Sequence, residues 1–387
     1  MFARLKFSHI TTGLITVLVG YASSVAIIFQ AIDTLSLPQA QANSWMLALG
    51  LGMGVSTIFL SLYHKMPILT AWSTPGAALL VVSLKDIPLS AAIGAFLLCG
   101  ILLILTGITG WFDKITRLIP DAIANAMLAG ILFQFTIGIF TQLEGNIPLV
   151  ATMFAVYLLT TRYFPLYVIP SVLISSILLC WGLGLILPGN GFELAFSPPV
   201  FVMPTFTVSA ALGVGVPLYI VTMTSQNMPG IIALRTAGYM PPISSSIIVT
   251  GLTTLVLAPF GGYTFNLAAI TAAICCEEAA DPDPKTRYMA SIIAGVLYIM
   301  VGLLGGAVIG LFLIIPKAMI VTLAGLALLG TVANSLSAAL VESSQRTAGL
   351  VTFLTTVSGI SFMSIGAPVW GLLFGMLVHF ITSQKAG

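Results

Sequence analysis

About fourteen apolar stretches fill this chain almost end to end, and a helix needs about 20 such residues to cross hydrocarbon. The sparse cationic residues between the stretches constrain how they are threaded. If each stretch is one span and the N-terminus lies inside, the inner side holds Arg4, Lys6, Lys65, Lys114, Arg117, Arg162, Arg235, Lys285, Arg287, Arg346 and Lys385. The outer side then holds Lys85 and Lys317. Cytoplasmic loops of bilayer proteins carry the excess of Lys and Arg, and a miscounted span would invert every later loop, so the asymmetry checks the count.

Only 6% of the 387 residues are charged and 58% are hydrophobic, whereas a soluble domain averages about 25% charged. No water-soluble core uses that much apolar surface, and the spans leave no room for a soluble domain. The formal net charge of +2 argues against a nucleic-acid partner. The basic N-terminus runs into an apolar stretch that continues to about Ala31 without a small-residue cleavage pattern, so it reads as a retained first span and not a signal peptide. Cys99, Cys180, Cys275 and Cys276 lack metal-ligand spacing and read as small apolar filler.

The expected spans are 9–31, 43–63, 67–83, 88–110, 120–141, 147–162, 166–187, 208–230, 241–259, 262–276, 288–312, 316–338, 347–364 and 367–383. The 188–207 connection, with Pro198, Pro199 and Pro204, separates a first seven-span repeat (1–187) from a second (208–387). Ile119-Pro120-Asp121-Ala122, followed by Leu128-Ala129-Gly130, is echoed by Ile315-Pro316-Lys317-Ala318, followed by Leu323-Ala324-Gly325. The third span of each half is interrupted by turn formers, at 70–76 and at 261–266. Seven is odd, so the second copy enters from the opposite side, and the expected fold is an all-α membrane protein of two inverted seven-span repeats. Gly50, Gly52 and Gly54, and again Gly302, Gly306 and Gly310, have the spacing of close helix packing, with a hinge or ion path as the other reading. Trp111 to Leu118 should lie along the inner interface as an amphipathic linker.

Ser73-Thr74-Pro75-Gly76 is a helix start in mid-membrane: a hydroxyl for the N-cap, then Pro in the first turn. Either it is a tolerated Pro kink, or a half-helix begins near Thr74 and turns its free N–H groups and positive dipole end toward an anion. The matching break in the other half favours the second reading. There Gly261 and Gly262 permit tight backbone, and Thr264 or Asn266 could cap a half-helix through Ala268 to Thr271. Trp72 and Tyr263 offer aromatic surface for a ring, or anchors at the interface. The first and eighth spans are polar in corresponding places, at Tyr21, Ser23, Ser24 and Gln30 and at Thr222, Thr224, Ser225, Gln226 and Asn227. Amides are costly in an apolar medium, so these groups line a cavity or bond between helices.

Glu277, Glu278, Asp281 and Asp283 read as a solvated inner loop, and His9, His64 and His379 as interfacial. No G-x-x-x-x-G-K-[ST] phosphate loop is present, which excludes ATP as the power source within this chain, and no H-E-x-x-H or G-x-S-x-G supports an enzyme. No cofactor or metal is expected.

Gly20-Tyr21-Ala22-Ser23-Ser24, the 69–79 stretch around Trp72-Ser73-Thr74-Pro75-Gly76, Ser225-Gln226-Asn227-Met228-Pro229-Gly230 and the 268–275 stretch resemble the bacterial benzoate–proton symporter family. The resemblance implies import of benzoate or a similar aromatic carboxylate with a proton across the bacterial inner membrane, with both termini cytoplasmic and a homodimer as a possible assembly. More distantly the chain is similar to nucleobase and sulfate-type anion carriers. That likeness implies a core of spans 1–4 and 8–11 (about 9–110 and 208–312) and a gate of spans 5–7 and 12–14 (about 120–187 and 316–383). It also implies a short strand before each half-helix in spans 3 and 10, and elevator-like motion of core against gate. The substrate-binding set is then Tyr21, Ser24, Trp72, Ser73, Thr74, Gly76, Ser225, Gln226, Asn227, Gly262, Tyr263, Thr264 and Asn266.

One departure matters. Nucleobase carriers tend to place acids where Ser225 and Tyr263 stand here. Neutral groups suit an anionic substrate, which a fixed carboxylate would repel. They also remove the obvious proton carrier, so the proton rides on the substrate or on another residue. An anion channel or uniporter, or a carrier of another small organic anion, is the competing reading.

Overall fold

The computed structural model describes residues 5–85, 87–112, 114, 119–186, 198–268, 270–362 and 365–383. Arg4, Arg117, Lys385, the side chain of Ser23, most of the expected interfacial linker after Trp111 and the 187–197 part of the connection between halves lie outside the described residues.

Lipid offers the backbone no hydrogen-bond partner, so the apolar runs satisfy themselves as helices. In chain order these are α1 (Phe7–Thr34), α2 (Gln39–His64), the strand β1 (Thr70–Trp72), α3 (Thr74–Ser83), α4 (Leu89–Thr109), α5 (Asp121–Thr141), α6 (Leu143–Tyr163) and α7 (Val168–Gly182). The second half has α8 (Val208–Thr236), α9 (Ile243–Leu257), β2 (Phe265–Leu267), α10 (Ile270–Cys276) and α11 (Tyr288–Leu303), which resumes after Leu304 as Gly305–Ile314. It closes with α12 (Lys317–Leu340), α13 (Arg346–Val357), the small hairpin β3 (Ser361–Phe362) and β4 (Ile365–Gly366), and α14 (Ala367–Ser383). Pro38, Pro88, Pro120, Pro242 and Pro316 immediately precede α2, α4, α5, α9 and α12. A proline at the mouth of a helix costs nothing, because the N–H it lacks would have no partner there. Among the described residues eight helices are long and apolar enough to cross a membrane alone. The third and tenth helices are only ten and seven residues long, each preceded by a three-residue strand.

The packing repeats. Helix α2 packs on α11 as α9 does on α4; α1 touches α3 and α10 as α8 touches α10 and α3; α6 lies on α7 as α13 does on α14. Helices α5 and α12 pack on each other, and β1 pairs with β2. Advancing every helix number by seven maps this set onto itself, as two copies related by a two-fold axis require. Contacts between connections also sort into two ends. Lys6 meets Asp281, His64 meets Ser245 and Tyr239 meets Pro284 at one end. Asp33 meets Lys317, Ser90 meets Thr205 and Ser44 meets Phe260 at the other. Each pair joins loops that the Lys and Arg distribution places on a common side.

A Cβ on Gly302 would lie 2.8 Å from the Cα of Gly50, so α2 and α11 cross at backbone contact. Gly54 closes on the Gly295 carbonyl in the same seam, Gly52 leaves room for the Phe265 ring, and Gly310 faces open space.

The acidic loop departs from expectation. Glu277, Glu278 and Asp283 are exposed, but Asp281 is fully buried, and so is His9. The first turn of α1 folds over the α10–α11 connection and supplies Asp281 with partners. Burial would raise the Asp281 carboxyl, but hydrogen bonds from Lys6 and the Asp283 N–H, with the Lys6 charge, hold it well below the usual carboxylate range.

Candidate functional site

The two interrupted spans meet as an antiparallel ribbon, with Thr70 opposite Leu267, Ala71 opposite Asn266 and Trp72 opposite Phe265. Extended backbone at this depth must have every amide satisfied, and side chains from the surrounding helices do so. Thr57 of α2 accepts from the Thr70 N–H at 2.9 Å, and Thr254 of α9, its counterpart in the second repeat, accepts from the Phe265 N–H at 3.0 Å. Asn227 accepts from the Leu267 N–H at 2.9 Å. Asn266, with its amide turned to suit both ends, accepts from the Ser73 N–H at 3.0 Å and donates to the Leu267 carbonyl at 2.9 Å.

Beyond the ribbon, Ser73 caps α3: its Oγ accepts from the Gly76 N–H at 3.0 Å, and Pro75 sits in the first turn. The second break is built differently from expectation. Thr264 and Asn266 do not cap α10: Asn266 is itself part of β2, and that strand separates Thr264 from the helix. Thr264 instead accepts from the Cys99 thiol at 3.6 Å.

A cavity of about 380 Å³ lies against the Trp72 end of the ribbon and the start of α3. Of the thirteen residues expected at the site, Tyr21, Ser24, Trp72, Thr74, Ser225 and Gln226 line it. The other seven stand behind its wall. Ser73 and Asn266 brace the strand-to-helix turn, Gly76 packs on Leu218, and Gly262 packs on Leu257. The hydroxyl of Tyr263 donates to the Ser73 carbonyl at 2.8 Å, its ring buried beside Trp45 and Phe96. Asn227 and Thr264 are fully buried in the bonds already described. Asn227 therefore supports the ribbon and does not face the cavity.

The aromatic wall is Tyr21, Trp72 and Tyr298. Tyr21 meets Trp72 edge-on at 4.8 Å and Tyr298 at 5.9 Å. The Trp72 indole donates to Ser24 Oγ at 2.9 Å, and Ser24 donates to the Gly20 carbonyl at 2.8 Å, which fixes the indole plane. Among the described residues the Tyr21 hydroxyl is buried without a hydrogen-bond partner. On the adjoining wall, α8 widens into a π-turn over Met223–Asn227, where the Met228 N–H reaches the Met223 carbonyl. Pro229 lacks the N–H that the Ser225 carbonyl would take in an α-helix, so the wider turn costs little there. It lets Thr224, Ser225 and Gln226 line the cavity together.

The far wall is formed by α5 and α12. Leu128, Leu132, Ala327 and Leu328 are its apolar part, and Asn125, Thr331, Asn334 and Ser335 its polar part. None of these eight was expected at the site, although Leu128 belongs to the repeated 128–130 motif. Asn125 and Asn334 carried a usable signal, an amide inside an apolar run, which is the argument applied to Gln226. Tyr298 and Thr271 gave none, since a Tyr or Thr in an apolar helix is ordinary. The polar part lies toward the start of α5 and the end of α12, which adjoin where Ala122 and Ala339 both approach Gly349.

Among the described residues the lining holds no Lys, Arg, His, Asp or Glu. Its positive field comes from the N-terminus of α3, where the Thr74 N–H has no intrahelical partner. The arrangement favours negative charge beside apolar surface. Among the described residues no cluster of His, Cys, Asp and Glu could hold a metal ion.

Comparison with known proteins identifies a family and a fold. Residues 3–381 match the family described as BenE, benzoate membrane transport protein. The inner membrane protein YdcO of Escherichia coli K12 is 44% identical over 376 residues, 97% of this chain and 95% of that protein. The benzoate membrane transport protein of Acinetobacter baylyi is 38% identical over the same shares. Among solved structures, SLC26A9 superposes with a TM-score of 0.65 at 15% identity, covering 99% of this chain and 66% of that one. This chain thus spans about two thirds of that protein's length. The transmembrane domain of the cyanobacterial bicarbonate transporter BicA gives a TM-score of 0.56 at 12% identity, covering 97% and 96%.

Proposed function

The chain belongs to the benzoate membrane transport protein family, and on that footing we propose that it is a secondary transporter importing benzoate or a similar aromatic carboxylate with a proton across the bacterial inner membrane. The observation that carries this reading is the cavity at the start of α3, with aromatic walls and, among the described residues, no Lys, Arg, His, Asp or Glu in its lining. The carboxylate sits at the α3 N-terminus, within reach of Thr74 and Ser225, where the helix dipole and free N–H favour negative charge. The ring packs against Tyr21, Trp72 and Tyr298, with the Tyr21 hydroxyl free to donate to the carboxylate. All of these groups belong to α1, β1, α3, α8 and α11, which form the moving core together with α2, α4, α9 and α10.

Helices α5–α7 and α12–α14 form the gate. Leu128, Leu132 and Leu328 present an apolar ridge past which the loaded core must slide, and Asn125, Thr331, Asn334 and Ser335 border the mouth on the inner side. Labelled benzoate uptake into proteoliposomes, with and without an inward proton gradient, tests the reading. Gradient-stimulated, saturable uptake is expected, and uptake indifferent to the gradient would remove the symport claim.

The missing carboxylate in the cavity favours a second reading, an anion channel or uniporter. Exchange counterflow separates the two: preloaded unlabelled benzoate accelerates entry of labelled benzoate through a carrier and leaves a channel unaffected.

A further inference from the structure

Among the described residues, His9 and Asp281 are the only buried side chains of the His, Asp, Glu, Lys and Arg types, each with no exposed surface. The cavity lining contains none of these types. A symporter that stores its proton on protein needs a titratable group shielded from bulk water, and shielded ionisable groups in membrane proteins mark such relays. We propose that His9, paired with Asp281, takes up and releases the coupled proton; the inference rests on the symport reading above.

The geometry supplies the states. His9 Nδ1 accepts from the Lys6 backbone N–H at 3.0 Å, so the ring proton is on Nε2, which donates to Asp281 Oδ2 at 2.9 Å. Asp281 Oδ1 also accepts from Lys6 Nζ and the Asp283 N–H, both at 2.9 Å. Arg287 is occupied elsewhere, donating to the carbonyls of Asp281 at 2.7 Å and Cys276 at 2.6 Å. The cluster therefore holds a charge-balanced Lys6 and Asp281 pair beside a neutral base.

An arriving proton takes the Nδ1 lone pair, and the Lys6 N–H must withdraw from it. The product is an imidazolium facing the Asp281 carboxylate, and loss of that proton restores the imidazole. No other covalent bond changes. The charged and titratable groups around the ring are Lys6 on α1, and Asp281, Asp283, Arg287 and Cys276 around the α10–α11 connection. Tyr239 reaches that connection from the α8–α9 side, its hydroxyl donating to the Pro284 carbonyl. Glu277, Glu278 and Lys285 point to solvent.

The cluster and the cavity share two elements. His9 lies about 18 Å along α1 from Tyr21, and Asp281 follows α10, whose Thr271 lines the cavity. Thr16 of α1 and Cys275 of α10 are bonded at 3.3 Å between these points. The first turn of α1 is thus joined to the cavity through α1 itself and through α10, two of the elements that line it.

The test uses His9→Gln, which keeps a donor toward Asp281, and His9→Asn, which keeps an acceptor toward Lys6; neither can take a proton. Benzoate-induced rise in melting temperature reports that each variant is folded and binds. Loss of gradient-stimulated uptake in both, with wild type stimulated, is expected. Retained stimulation in either folded variant overturns the assignment. A wild type indifferent to the gradient overturns the symport reading first, and the assignment with it. If neither variant folds, histidine 15N NMR of wild type decides: the His9 ring must be seen in both its neutral and its doubly protonated form as pH is varied, and a ring neutral throughout overturns the proposal.

Discussion

At the scale of single residues, buried polar groups divide into those that are satisfied and those that wait for a partner. The Tyr21 hydroxyl is of the second kind. Tyr21→Phe should leave the melting temperature unchanged and weaken benzoate binding about tenfold, one hydrogen bond to an ionised group being about 1.5 kcal/mol; thermal melts read the first half of this and isothermal titration the second. Asn227 is of the first kind. Asn227→Ala strands the Leu267 N–H in a dry interior, a loss of about 1–3 kcal/mol, and should lower the melting temperature. Thr74→Ala should do the reverse, lowering affinity at constant stability. Asp281 adds a pH dependence. Its carboxyl is held well below the usual carboxylate range, so its contribution to stability is full above the ordinary aspartate value and is lost as pH falls through the depressed folded value. Melting curves of wild type should decline below about pH 4 more steeply than those of Asp281→Asn.

Elements are set by what each backbone segment can bond to. Helix α3 starts where Ser73 and Pro75 make a cap and a first turn, and that was legible in four residues. Helix α10 has no such cap at Thr264 or Asn266, because an unpaired β1 would leave its amides unbonded and β2 is the strand that pairs with it. A strand of three residues cannot be read from local pattern when its partner is about 195 positions away. The α2–α11 seam rests on Gly50 and Gly302 at backbone contact. Gly50→Leu should force the two helices apart, costing at least the 1–3 kcal/mol of ordinary overpacking, about what a marginal fold can lose, and should reduce the yield of monodisperse protein on size-exclusion chromatography.

For the molecule as a whole, the two-fold arrangement places one cavity where the repeats meet and lines it from both sets of helices. The polar part of its lining lies toward the end of α12. With every described cysteine buried, Asn334→Cys offers a single reactive thiol. A membrane-impermeant maleimide should modify it from the side carrying Lys65 and Arg235 and leave it untouched from the side carrying Lys317. Saturating benzoate should slow the reaction. Modification from both sides would mean a continuous pore, as the channel reading requires.

Composition, hydrophobic run length and the placement of thirteen Lys and Arg residues were enough to establish a membrane protein of two repeats with a broken third helix in each. Those properties follow from solvent and local backbone chemistry, which act along the chain. Which polar residues face the cavity and which hold the ribbon together depended on the tertiary structure, because an amide in an apolar run announces only that it needs a partner. Asn227 found one in a backbone N–H and His9 in a carboxylate 272 residues away. Gln226, one residue from Asn227, was turned to the cavity by the π-turn. Only the packing of the two halves against each other makes those choices.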